Sequence, residues 1–200
     1  MADYGRDLRM VTLDAKRLRA LAHPLRVRLL GALRLDGPAT ATALGKRFGE
    51  NSANTSWHLR QLAEAGLVAE DTQRGNRRER WWTAAQDRTE FDPGELSEDP
   101  ELTGSLASYL HAINAVHHDQ AGTYLATMQD WPKEWRGAAE LSDYRLSLSA
   151  RELSELNRRI QAVVEEYWRE PEPGDVEVIT HWHAVPLRRQ ERDADVTDVL

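Results

Sequence analysis

Glu50 to Ala85, ENSANTSWHLRQLAEAGLVAEDTQRGNRRERWWTAA, is the stretch that most restricts what this chain can fold into. Thr55, Leu59, Leu62 and Gly66 recur at helical spacing and share one face, while Ala53, Asn54, Trp57, Arg60 and Gln61 point the other way. A helix that hides leucine and shows short polar groups, an amide, an indole and a guanidinium is built to meet a partner. Gly66 stands where a left-handed C-terminal cap is wanted, with Leu67 free to pack back. After Val68 the pattern turns to a strand, a tight turn near Arg74 to Asn76, and a returning strand through Arg80 to Thr83. Arg74, Arg77 and Arg78 surround Gly75-Asn76, a composition that suits phosphate better than a protein interior.

A helix of this kind followed by an arginine-tipped hairpin points to a winged helix-turn-helix facing DNA. The residues before it agree. Asp14 to Pro38 predicts two helices broken at His23-Pro24, with Pro24 in the first turn of the second, where its missing N–H costs nothing. Leu18, Leu21, Leu25, Leu29, Leu30 and Leu33 form its apolar stripe. Thr40 can cap a short third helix with Leu44 and Phe48 inward, and the exposed-face helix then runs from about Asn51 or Ser52 to Ala65. Residues 1–11 read as polar and ordered only by docking.

Beyond the hairpin, Phe91 to Pro100 is rich in Pro, Gly, Ser and acid and reads as a linker. Asp99-Pro100 caps a long helix carrying Leu102, Leu106, Tyr109, Leu110, Ile113 and Val116 and, further on, Tyr124, Leu125 and Met128. Trp131-Pro132 breaks it. Leu141 to Leu148 alternates as a short strand would. Ser149 to Glu152 is a capping box that opens a helix to about Arg169, and Val176 to Val185 reads as a late strand.

The chain has 200 residues, 40% of them hydrophobic, no cysteine and a net charge of −7. The missing cysteines exclude disulfides, thiolate metal sites and thiol chemistry. An acidic total argues against nucleic acid, but its distribution does not. Residues 1–90 hold 16 basic against 11 acidic side chains, a net of +5, and residues 91–200 hold 10 against 22, a net of −12. A basic half joined to an acidic half fits a DNA-facing module with a partner-facing one, although +5 alone is also ordinary surface variation. No apolar run of about 18 residues is present, so no membrane span is expected. The N-terminus lacks a basic-then-apolar signal pattern, and a cytoplasmic location is expected.

LRALAHPLRVRLLGALRLDGPATATALGKRFG, then NSANTSWHLRQLAEAGLV, then RERWWTAA resemble the ArsR-type winged helix-turn-helix regulators, over roughly residues 14–85. The likeness is to the larger branch with an extra C-terminal region. It implies a homodimeric transcriptional regulator, often a repressor, that presents one recognition helix per subunit to adjacent major grooves. Carried over by position, the contacting residues are Ser52, Ala53, Ser56 and Trp57, with Asn54, His58 and Arg60 beside them. Hydroxyls and amides can pair with base edges, and Arg60 suits phosphate. Trp57 is open to two readings: along sugars or a thymine methyl, or packed under the wing or a neighbouring helix. The wing residues Arg74, Asn76, Arg77 and Arg78 are expected on phosphate or in the minor groove, the alternative being a solvated tip.

The chain departs from the metal-sensing members. GKRFGE stands where a cysteine pair would be on the third helix. His111 and His118 share a helix face and His181 and His183 flank Trp182, but neither set offers three or four ligands at recognisable spacing, so no metal or other cofactor is expected. Zinc sensing through these histidines stays as an alternative. An organic small-molecule effector is another, bound by Tyr109, Tyr124, Trp131, Trp135, Trp168 and Trp182; aromatics at such spacing serve equally as core or dimer contacts. Glu152, Glu155, Glu165 and Glu166 fall on a solvated helix face with Arg151, Arg158 and Arg159, and no nucleophile elbow, phosphate loop or zinc-protease helix occurs. No enzyme is expected.

Together these readings describe an α+β, mostly helical chain. A winged helix-turn-helix spans 12–90, a helical dimerisation and effector region with a late β-strand spans 98–187, and a disordered tail covers 188–200. Double-stranded DNA and a second copy of the chain are the expected partners, with a winged-helix protein-interaction module as the rival.

Overall fold

The computed structural model describes residues 9–74, 79–91, 96 and 99–187. The chain divides into two bodies, one comprising 7–140 and the other containing 141–200. In the first, α1 (Ala15–Leu21) and α2 (Pro24–Leu35) meet at His23, whose ring nitrogen Nδ1 accepts the Leu25 N–H at 3.2 Å and caps α2 ahead of Pro24. Leu18, Leu21, Leu25, Leu29, Leu30 and Leu33 are all buried. Thr40 caps α3 (Ala41–Phe48) by accepting from the Ala43 N–H, and Gly49, at φ 71°, closes it in the left-handed region.

The next helix, α4, runs Ser52–Glu64. The Asn51 side chain caps it by accepting the Asn54 N–H at 2.8 Å, and the Thr55 hydroxyl donates back to the Asn51 carbonyl at 3.0 Å. Its end is a complete Schellman turn: the Leu67 N–H reaches the Leu62 carbonyl and the Gly66 N–H the Ala63 carbonyl, each at 2.9 Å, with Gly66 at φ 70°. Leu67, now pointing back, is fully buried.

Three short strands, β2 (Ala39–Thr40), β3 (Val68–Glu70) and β4 (Trp81–Ala84), form an antiparallel sheet in the order β2-β4-β3, with Val68 opposite Ala84 and Thr40 opposite Trp81. Trp82 faces the core. Two further strands escape the sequence reading. β1 (Met10–Thr12), at the end of a segment expected to be ordered only by docking, lies parallel to β5 (Arg88–Glu90), and Arg9 grips Asp87 with its backbone and guanidinium. Each is three residues long and finds its partner 78 positions away, so no local alternation announces it.

Helix α5 (Pro100–Thr127), capped by Asp99, packs its first half on α1 and α2 through Leu102, Leu106, Tyr109 and Ala112. The boundary between bodies therefore falls near 140, and not in the Pro- and Gly-rich stretch before residue 100. Physically, the leucines of α5 complete the core of the winged helix. Arg34 is held from α2 to the β4–β5 turn, donating to the Gln86 carbonyl at 3.1 Å and the Thr89 hydroxyl at 2.8 Å. A 3-10 turn at Met128–Asp130 and the break at Trp131-Pro132 precede α6 (Lys133–Ala138), which was not foreseen.

In the second body, α7 (Ala150–Glu166) opens with the full capping box of Ser149 and Glu152. The strands expected at 141–148 and 176–185 are absent: among the described residues neither segment joins a ladder. Alternation creates a face, but a strand also needs a neighbour for its N–H and C=O groups, and none is offered. The tail at 188–200 lies outside the described residues.

Candidate nucleic-acid interface

The α3–α4 turn is built around Gly45. A Cβ there would stand 2.7 Å from the Glu50 carbonyl oxygen and 3.1 Å from the Thr55 hydroxyl, so only glycine permits this approach. The Glu50 N–H closes the turn on the Gly45 carbonyl at 2.8 Å. With Thr55, Leu59 and Leu62 fully buried, the opposite side of α4 has one orientation available. Ser52, Ala53 and Arg60 are exposed, Ser56 is half-buried, and Trp57 keeps 49% of its surface open to solvent. Among the described residues the Trp57 ring meets His58 edge-on at 4.8 Å.

Two of the expected contact residues stand differently. His58, 4% exposed, is not on the open face; it is buried against His23, ring centroids 4.4 Å apart. The reason is angular: His58 follows Trp57 by one residue, a rotation of about 100° that carries it from the open face toward the core. Asn54 is half-buried and its amide donates to the Glu50 carboxylate at 2.8 Å, so it meets a base only by leaving that partner. In the wing, Arg74 is exposed and turned back on Asp71, 3.4 Å from its carboxylate. Asn76, Arg77 and Arg78 lie outside the described residues.

An open groove of about 580 Å³ runs between the first turns of α3 and α4 and the stem of the wing. Thr42, Ser52, Ala53 and Ser56 line one side, and Glu70 and Arg80 the other. Thr42 and Arg80 were not foreseen as contributors. Two helix N-termini opening on one groove provide a positive potential suited to phosphate. Arg80 lies 3.8 Å from Glu70, so one acidic side chain offsets part of that field.

Residues 21–71 match a helix-turn-helix domain family. That segment holds α2, α3, α4 and the Gly45 turn. No curated protein matches the chain. Similar solved structures include a mutant Lactococcus lactis ZitR in apo form, 14% identical over 73% of this chain and 83% of that one, with a TM-score of 0.31. Another is the adhesin competence repressor AdcR of Streptococcus pyogenes, 15% identical over 74% and 79%, TM-score 0.28. A third is a zinc-responsive MarR family member, again Lactococcus lactis ZitR, 13% identical over 84% and 83%, TM-score 0.27. Overlap at this level adds nothing to the argument from the chain's own helices.

The aromatic residues expected at an effector site are divided between the two bodies. Tyr109 belongs to the core, edge-on to Phe91 at 5.6 Å, and burial pushes its hydroxyl's proton affinity up while Arg34 opposes this. Trp131 and Trp135 face each other at 6.3 Å, and Tyr124 is half-buried on α5. Trp168 and Trp182 belong to the second body, where the Trp182 indole donates to the Asn157 side chain at 2.8 Å. Among the described residues no three His, Asp or Glu side chains gather as a metal site would require.

Proposed function

We propose that this protein is a sequence-specific DNA-binding transcriptional regulator, a repressor acting as a homodimer on a (pseudo)palindromic operator and released by an organic small molecule. The observation that supports it most is α4 itself: its apolar side is locked by Gly45, Thr55, Leu59 and Leu62, and its other side presents Ser52, Ala53, Ser56, Trp57 and Arg60 outward. Major-groove recognition needs such a rigid helix with short polar groups and one cation. The acidic second half would discourage docking on DNA in the wrong orientation.

Fluorescence anisotropy of the purified protein against the intergenic DNA beside its own gene, with a scrambled duplex and several salt concentrations, tests this. Binding at least ~10³-fold tighter to the intergenic duplex, falling with salt, supports the reading. Arg60→Ala is expected to weaken both duplexes and lower the salt slope by about one. Trp57 favours a rival, since half an exposed indole suits a protein surface as well as a thymine methyl. Equal, weak binding to both duplexes beside a tight protein partner would replace the regulator with an interaction module.

A further inference from the structure

Beside α4 lies a cluster that neither the core nor the recognition face explains. Arg26, on the first turn of α2, is half-buried and its Nη2 donates to the Arg19 carbonyl at 3.3 Å, yet its Nε is buried without a protein hydrogen-bond partner. No carboxylate forms an ion pair with it among the described residues. Next to it His58 is buried with Nδ1 also unpartnered, its ring tilted at 44° against that of exposed His23. Two unsatisfied polar atoms in one small cluster are an anomaly, because buried polar groups are nearly always hydrogen-bonded. They are explained if the cluster is completed by an anion.

The position names the anion. His58 touches Trp57, and His23 is exposed beyond it, so the cluster borders the face that meets DNA. We propose that Arg26, His23 and His58 form a subsite for a DNA backbone phosphate, and that filling it takes up a proton from solution. This rests on the DNA-binding reading above. The charges give the reason for the proton. The charged groups around the rings are Arg26 and Glu50, which offset one another, while Arg17 and Arg19 on α1 are turned to Asp14 and Glu101. A phosphate entering this balanced set leaves one negative charge, and a proton gained by His58 at its unpartnered Nδ1 neutralises it, while His23 keeps its Nδ1 bare to accept the Leu25 N–H. Without the phosphate both rings hold protons weakly, through burial first, then the neighbouring cations; Glu50 works the other way.

The test is anisotropy of the full chain with a mixed-sequence duplex of about 30 base pairs, long enough to span adjacent grooves, across pH 6 to 8 and several salt concentrations. Wild type should bind about threefold tighter per unit fall in pH near 7, corresponding to uptake of about half a proton. H58Q keeps a polar side chain at that position and cannot titrate, so its affinity should be flat with pH. R26Q should lower the salt slope by about one. A salt slope unchanged in R26Q but lowered in R60A overturns the subsite while leaving DNA binding intact. A flat pH profile in wild type removes the imidazoles and overturns it too. Absence of binding to any duplex at low salt defeats the regulator reading and the subsite together. Histidine ring NMR on wild type needs no variant: one of the 7 histidines, His58, should titrate at higher pH with DNA bound. If 10 mM inorganic phosphate moves it equally while the R26Q slope stays unchanged, the site serves a free anion and the proposal fails.

Discussion

The two bodies of this chain use the same local devices and reach different ends. In residues 9–140, amphipathic helices with side-chain caps bury Leu18, Leu21, Leu29, Leu59, Leu62 and Leu67 completely. In residues 141–187, α7 has a full capping box and an apolar face of Leu153, Leu156, Ile160, Val163 and Val164, yet no described residue there is buried. The difference teaches that periodicity and capping specify a helix and its face but not what covers that face. Local ion pairs take over in the second body: Glu155 holds both Arg158 and Arg159, and Arg169 together with the Glu172 N–H holds Asp175 down to about 2. Such exposed pairs contribute little to stability.

This contrast can be broken by substitution. Leu59→Ala should destabilise the first body by about 2–5 kcal/mol, the cost of a cavity in a closed core. Leu156→Ala, half-exposed on α7, should cost less than about 1 kcal/mol. Equal shifts of the two urea midpoints would show that α7 is as buried as α4. A second comparison sets glycine against glycine. Gly45→Ala forces a Cβ onto the Glu50 carbonyl and should cost about 1–3 kcal/mol. Gly122→Ala in exposed α5 meets nothing within 4 Å and should be neutral or stabilise by up to about 1 kcal/mol. Thermal melts of the pair decide whether close approach or helix propensity governs.

Capping gives a smaller effect. Asn51→Ala should lower the global midpoint by about 1 kcal/mol, because α4 is part of the cooperative core. Ser149→Ala should reduce helical circular dichroism without moving that midpoint; a matching global loss would mean both bodies unfold as one. The smallest expected effect is with pH. His23 and His58 have their proton affinity lowered in the folded state. The unfolded chain therefore takes up protons first, and this contribution to stability, complete above about pH 6.5, is lost as pH falls from there through the folded-state values. Chemical denaturation at pH 7.5 and 5.5 should show a loss in wild type that shrinks in H58Q.

The sequence made the helix-turn-helix legible because each of its signals is local: Asn51 as cap, Gly66 as left-handed stop, and leucines at helical spacing. The same holds for Thr40, Pro24 and Ser149. What stayed hidden depends on distant partners. The β1–β5 pairing joins two segments across most of the winged helix, and the strands read into 141–148 and 176–185 failed for want of a neighbour. At the interface, the outward positions of Ser52, Ala53, Trp57 and Arg60 follow from helical rotation. The burial of His58 follows from the same rotation, but its contact with His23 and the capture of Asn54 by Glu50 do not, since each depends on a residue from another element or turn. Thr42 and Arg80 became visible only once the sheet brought the wing stem beside both helix starts.

The Gly45 turn has a mechanical consequence. With the Glu50 carbonyl occupying the space of a missing methyl group, α3 and α4 have no hinge between them and move as one wedge. α2 packs against both α4 and α5, so a displacement of α5 carries the wedge with it, whole. If two copies pair as proposed, a switch between gripping and releasing DNA would be a change of span, like the jaws of a caliper, with the shape of each jaw untouched.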